Sequence, residues 1–181
     1  IYHDLANGQN FAVLDPLGGV AETVVDAVPR ARNDGTIYFD PSDLEHPIGF
    51  NPLDRVPPDR RDLVAQHVLQ AFLHIWGGGL EDSPRMMFVL YNGLRLLLDS
   101  QGATLLGLPR LLVDDAYRET LINQCEDQVV VNYWRSEFAS YDDRFRTQVI
   151  SPIQNKVGML LAPPVIRNIL GQRRSTIDIA R

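Results

Sequence analysis

The chain has 181 residues, 45% hydrophobic and 22% charged, the balance of an ordinary globular protein and not of a disordered, collagen-like or low-complexity one. Its 17 basic and 23 acidic side chains give a net charge of −6, which makes it a poor general binder of nucleic acid, because phosphate contacts dominate that affinity. No apolar run reaches the ~20 residues needed to cross a bilayer. One cysteine, Cys125, allows neither an internal disulfide nor a cysteine-based zinc site, so a cytoplasmic setting is expected.

Ile1–Asn7 reads as the last turns of a helix, with Gly8 as its left-handed stop. An uncapped start of this kind is expected when the front half of the helix lies further upstream. Phe11–Asp15 is a short apolar run between Gly/Asn and Asp-Pro, the pattern of a buried parallel strand. A turn over Pro16–Gly19 leads to an apolar stripe at 20, 21, 24, 25 and 28, a helix. Thr36–Asp40 reads as a second strand. Helix, strand, helix and strand with short loops predict a right-handed α/β unit in which the two strands pair parallel.

The pattern changes after Asp40. Residues 41–58 hold five prolines and the run Gly49–Leu53, an extended connection. From Asp59 to about Leu170 only helical patterns follow. Asp59–Trp76 has apolar positions 64, 68, 71, 72 and 75, and Gly77–Gly79 stops it. Ser83-Pro84 marks an N-cap and first-turn proline. The helix it opens, to about Asp99, is apolar nearly all round and is expected at the centre of a bundle. A turn near Leu108–Val113 precedes Asp114–Gln124, capped by Asp114. Asp127–Tyr141 carries Val130, Trp134, Phe138 and Tyr141 at three- and four-residue spacing. Asp142–Leu161 carries Val149, Ile153, Val157, Leu160 and Leu161, with Pro152 expected to kink or break it. Pro163-Pro164 starts a short helix that Gly171 stops, and Ile177–Ile179 has the alternation of a strand returning to the sheet. The fold class is thus an α/β stub with a large inserted all-α domain, predominantly α. Its expected division is a partial core over 1–50, the helical insertion over 51–170 and the return over 171–181.

Catalytic patterns are scarce. Gly77–Gly79 lack the Lys-Ser/Thr of a phosphate-binding loop. His67 and His74 stand two helical turns apart, ~10.5 Å, too far to share a metal. His3 and His46 have no ligand-spaced partners, and Cys125 sits in no motif. The turn Asp15–Gly19 follows a strand and opens a helix, where free N–H groups can meet an anion; a purely structural turn is the other reading. Charge is uneven: residues 1–140 carry 10 basic and 20 acidic groups, a net of −10, and residues 141–181 carry 7 and 3, a net of +4. Arg144, Arg146, Lys156, Arg167, Arg173 and Arg174 supply most of that positive stretch. Helical spacing places Lys156 off the buried stripe, hence exposed. The pair Arg173-Arg174 either faces DNA or a neighbouring subunit, or forms salt bridges to the acidic part of the chain.

Three stretches together resemble a known family. Phe11–Pro29, Thr36–Leu53 and Ser151–Ile179 are similar to the TraG/TraD-like conjugative coupling ATPases of type IV secretion, in the HerA/FtsK superfamily. Tyr38–Asp43 with Ile48–Leu53, and Ser151–Val157 with Arg167–Gln172, are its most specific parts. The resemblance implies an internal fragment of a hexameric ring that hydrolyses ATP with Mg to move DNA. The P-loop lies upstream and the Walker B strand downstream, so this chain alone is expected to bind no cofactor and to be inactive. The helical domain would recognise DNA or a DNA-processing protein, and an upstream segment of the parent would anchor it to the inner membrane, with no membrane contact from this chain. Relatives read Asp-Pro-His-Gly-Asp where this chain has Asp15-Pro16-Leu17-Gly18-Gly19, so a polar role near the nucleotide is in doubt at positions 17 and 19. By match to the family, Asp15, Gly18 and Gly19 are nucleotide-proximal, Asn51 and Pro52 join core to insertion, and Gln172 falls in the C-terminal stretch. Lys156, Arg167, Arg173 and Arg174 are candidates for DNA or subunit contact. The alternative is a non-enzymatic module binding a secreted or DNA-processing protein, for which the acidic helical surface suits a basic partner.

Overall fold

The computed structural model describes residues 1–29, 35–76 and 83–177. The chain divides into two compact units, Ile1–Asp40 and Pro41–Arg181, each described by itself below. Residues 41–50, expected with the core, group with the second unit.

The first unit holds α1 (Tyr2–Ala6) and α2 (Val20–Asp26). Gly8 ends α1 with φ 72°, and Gln9 N–H donates back to the Asp4 carbonyl at 2.9 Å, the bond that closes a left-handed helix terminus. The two expected strands are not formed: residues 11–15 and 36–40 belong to no ladder. Leu14 is 95% exposed, and Phe11, Ile37, Tyr38 and Phe39 are exposed as well. Parallel strands are stable when both faces are covered; the described residues of this unit supply two short helices, of five and seven residues, and leave these apolar runs exposed.

The second unit is helical wherever it has regular structure, and among its described residues there is no strand. A 3₁₀ turn over Pro58–Arg60 leads into α3 (Arg61–Trp76). The buried face of α3 is Ala65, Val68, Leu69, Phe72 and Leu73. Ile75, expected inside, is exposed, because the helix carries two overlapping apolar stripes and the packing uses one. The Gly77–Gly79 stop lies outside the described residues. Helix α4 (Pro84–Leu98) starts after Ser83 with Pro84 in its first turn. Val89, Leu90, Leu94, Leu96 and Leu97 are fully buried, and α4 touches α3 and every helix from α5 to α8. It is the central helix expected from its apolar circumference; each fully buried leucine contributes about 1.5–3 kcal/mol.

The segment expected as a turn is helix α5 (Gly107–Val113), followed by α6 (Asp115–Ile122). Asp114 caps α6, accepting from Tyr117 N–H at 2.9 Å. Asp127 caps α7 (Gln128–Asn132) through Val129 N–H at 2.9 Å. The chain then widens into a π-turn over Tyr133–Glu137 and tightens into a 3₁₀ turn over Phe138–Ser140. Trp134 and Phe138 pack at 4.7 Å between ring centroids, and the Trp134 indole N–H donates to the Asn92 carbonyl at 3.3 Å. Helix α8 (Asp143–Leu161) is capped by Asp142 and runs unbroken through Pro152. A mid-helix proline costs ~3 kcal/mol, and the burial of Val149, Ile150, Ile153, Val157 and Leu161 on one face offsets it. Helix α9 (Pro164–Leu170) ends at Gly171, as expected, with the glycine in a right-handed conformation (φ −88°). A Cβ there would lie 2.6 Å from Leu106 Cδ1, so packing, not φ, calls for glycine.

A buried polar network ties α3, α4 and the start of α7 together. Arg61 Nη1 donates to Asp99 at 2.8 Å, and the Cys125 thiol donates to the same carboxylate at 2.8 Å. Arg95 reaches Asp127 at 2.7 Å and Asp62 at 3.3 Å. Burial, then the neighbouring Asp99 carboxylate, pushes the Cys125 thiol up to about 12 from 9.0. The raised value means that the native thiol stays protonated across the neutral and mildly alkaline range. Native Cys125 should therefore react with a thiol reagent at pH 8 roughly a thousandfold more slowly than the unfolded chain. Equal rates, read by mass spectrometry with and without urea, would contradict the burial of this group.

Candidate functional site

The Asp15 turn is organised by its own carboxylate. Asp15 Oδ1 accepts from Leu17 N–H at 3.2 Å and Gly18 N–H at 3.0 Å. Its Oδ2 accepts from Val20 N–H at 2.9 Å and Ala21 N–H at 3.0 Å. Gly18 (φ 82°) and Gly19 (φ 93°) are both left-handed, a conformation open to glycine that folds the loop around the carboxylate. These N–H bonds, Ala21's first, hold the Asp15 carboxyl below the usual carboxylate range. The free N–H groups expected to meet an anion at the start of α2 thus meet an internal one.

In the second unit the incoming segment 47–54 and the outgoing segment 168–176 form one neck. Phe50 N–H donates to the Ile169 carbonyl at 3.0 Å, and Thr176 N–H to the Gly49 carbonyl at 2.9 Å. Gly49 N–H donates to Thr176 Oγ1 and Asn51 N–H to Ser175 Oγ, at 2.9 and 3.0 Å. Ser175 N–H donates to Asp54 Oδ2 at 3.0 Å, and Gln172 Nε2 to the Pro47 carbonyl at 3.0 Å. Asn51 is the hub: only 3% exposed, its Nδ2 donates to the carbonyls of Ala103 (2.9 Å) and Arg173 (3.1 Å), and its Oδ1 accepts from Leu53 N–H at 3.0 Å. At the crossing, a Cβ on Gly49 would sit 2.9 Å from the Arg174 carbonyl oxygen, so only glycine fits without a shift. Ser175 and Thr176 escaped the sequence reading; two hydroxyl residues just beyond Arg173-Arg174 were their only mark.

The four candidate cations fall into three settings. Lys156 is half-buried and not exposed, its Nζ 5.9 Å from the centroid of the Trp76 ring; its aliphatic stem covers apolar surface that a helical wheel counts as outside. Arg167 is exposed, yet its Nη1 donates to the Ala162 carbonyl and, at 3.4 Å, to the Leu161 carbonyl, capping the end of α8. Arg173 and Arg174 are exposed on the neck. Among the described residues no carboxylate pairs with either, whereas Arg61, Arg85, Arg95, Arg110, Arg118 and Arg135 all hold one. The expected salt bridges from this pair to the acidic part of the chain are not formed there. Among the described residues no group of His, Cys, Asp and Glu is placed to hold a metal, and no helix is long and apolar enough to cross a membrane. No family model, curated protein or solved structure matches the chain.

Proposed function

We propose that the chain is the helical recognition region, with adjoining core segments of the α/β P-loop type, of a ring-forming DNA-translocating ATPase of the coupling-protein kind. The observation that carries this reading is the neck. The runs Ile48–Leu53 and Arg167–Gln172, each part of the more specific stretches of the resemblance, are joined directly by Phe50 N–H to the Ile169 carbonyl and through their flanks by Asn51 to Arg173 and Gln172 to Pro47, 122 and 125 positions apart in sequence. A domain inserted into a core needs its two ends held side by side in this way. The exposed Arg173-Arg174 at that neck, which pairs with no carboxylate among the described residues, is the element of the reading that would touch DNA, and ATP with Mg belongs to the full-length hexameric parent. That parent would work at the cytoplasmic side of the inner membrane.

The test is the double variant Arg173→Ala/Arg174→Ala in the full-length parent. Exposed substitutions of this kind leave stability within about 0.5 kcal/mol. DNA affinity should fall, and the slope of log K against log salt should become shallower by about 2, roughly one for each phosphate that is no longer neutralised. Unchanged DNA binding with a lowered melting temperature would make the arginines structural and end this assignment.

A second reading, a module that binds a protein and moves nothing, draws on the acidic balance of residues 1–140 and favours a basic partner. Both readings expect no ATP turnover by this chain alone. Saturating Mg-ATP at a hundred times a real dissociation constant would add ~2.7 kcal/mol to its stability. A melting shift of that size would show a phosphate site in this chain and contradict both.

A further inference from the structure

We infer that the outer face of α3, with the groove beside it, is a two-fold docking surface for a second copy of this chain. Residues 63–80 form the longest run of the sequence without Asp, Glu, Lys or Arg. Within that run α3 turns Leu63, His67, Gln70, Ala71, His74 and Ile75 outward, all of them exposed. A surface helix ordinarily carries charge on that side, and depletion of charge marks the centre of a protein interface. Along the α4 flank of the same helix runs an apolar groove of about 290 Å³, lined by Leu69, Pro84, Met87, Phe88 and Tyr91. Phe88 is 44% exposed, so a knob and a hole lie side by side.

Charge and shape choose the occupant. The chain carries −6, and two copies meeting on acidic surface would repel each other. The outer face of α3 is uncharged along its length and has opposite charges at its two ends. Asp62 stands at the N-terminal end with its side chain half-exposed. Lys156 stands by the C-terminal end, over the Trp76 ring, and among the described residues no carboxylate pairs with it. An antiparallel pairing about a two-fold centred near Leu69 brings each Asp62 toward the partner's Lys156. The same rotation lays Leu63 against the Ile75 end of the partner and keeps both α4 flanks on one side, so that groove faces groove and each Phe88 meets the other's hole. An isologous contact requires such a self-complementary patch. A basic partner would find no row of carboxylates here, and an acidic one a single lysine. Helix α3 is ~24 Å long and a helix ~10–12 Å across, so the contact buries less than about 1,200 Å² in total, the size of a weak and reversible association. A ring contact is head-to-tail and this one is two-fold, so the inference stands independently of the proposed function.

The experiment is sedimentation equilibrium of the whole chain from about 20 µM to about 1 mM, with ¹⁵N spectra over the same range. A reversible dimer is expected, with a dissociation constant on the order of 100 µM for an interface of this size. Dilution should shift the amide signals of residues 62–76 and 84–91 and leave those of 128–132 in place. Phe88→Glu puts a charge in the groove, and Lys156→Glu sets like charges end to end; each should weaken the dimer by about tenfold or more. Val129→Glu changes an apolar residue on α7 that is still more exposed, and should leave the dimer as it is. Phe88 also packs edge-on against Tyr133; if its variant fails to fold, Ala71→Glu, on the open side of α3, makes the same test. A chain that stays monomeric at about 1 mM would overturn the inference and leave the face to an unlike protein. A dimer that neither Ala71→Glu nor Lys156→Glu weakens, or one whose shifts fall elsewhere, would overturn it as well.

Discussion

Asn51→Ala is expected to destabilise the second unit by about 2–4 kcal/mol, a fall of roughly 5–15 °C in melting temperature for a chain of this size. The side chain is 3% exposed and makes three hydrogen bonds. Alanine leaves the carbonyls of Arg173 in the neck and Ala103 in the α4–α5 connection without this donor, and Leu53 N–H without this acceptor. Asn51→Asp keeps the shape and costs more at neutral pH, because an ionised carboxylate would face two carbonyl oxygens. Its proton is held more tightly in the folded than in the unfolded chain. The folded pKa is therefore the higher one, and the aspartate variant should gain stability relative to the alanine variant as pH falls toward 4. Thermal melts at pH 7 and pH 4.5 read both effects. An alanine variant that melts like the wild type would show that the neck does not hold the two segments together.

Asp99→Ala carries the other large effect, about 3–5 kcal/mol. The Asp99 side chain is 3% exposed and is shared by Arg61 and the Cys125 thiol. Removing it strands a guanidinium that is 20% exposed, and an uncompensated, mostly buried charge is more costly than the absence of the pair. The double variant Arg61→Met/Asp99→Leu should accordingly recover most of the loss, since both charges leave together. Urea denaturation of the two variants measures the difference. A single variant as stable as the wild type, or a double variant as unstable as the single, would contradict a buried pair.

Local pattern is legible where the determinant lies within a few residues. Asp114, read as a cap, accepts from the N–H three residues on, and Asp127 and Asp142, read only as the starts of helical patterns, cap theirs through N–H groups two and three residues on; a partner that near needs nothing distant to decide it. The breadth of apolar surface on 84–98 is likewise enough to place α4 at the centre, because no face of it can be left in water cheaply. The candidate site was legible only as residue types. Arg173-Arg174 stood out by charge and Asn51 by the resemblance, but the neck that joins them depends on pairs more than 120 positions apart. No periodicity records such a pair.

The sequence by itself determined most helices of the second unit and their central member, since each follows from hydrogen bonds and burial along one short stretch of chain; it did not show that Gly107–Val113 is a helix or that the stretch after Asn132 changes its winding. Tertiary structure decided the rest. It chose 65, 68, 69, 72 and 73 over the competing stripe on α3, because only one face can meet α4. It laid Lys156 against Trp76 and spent Arg167 on the end of α8, while leaving Arg173-Arg174 exposed. It also left 11–15 and 36–40 without a ladder. A strand is completed by neighbours on both sides, and an apolar run states the demand for them without supplying them.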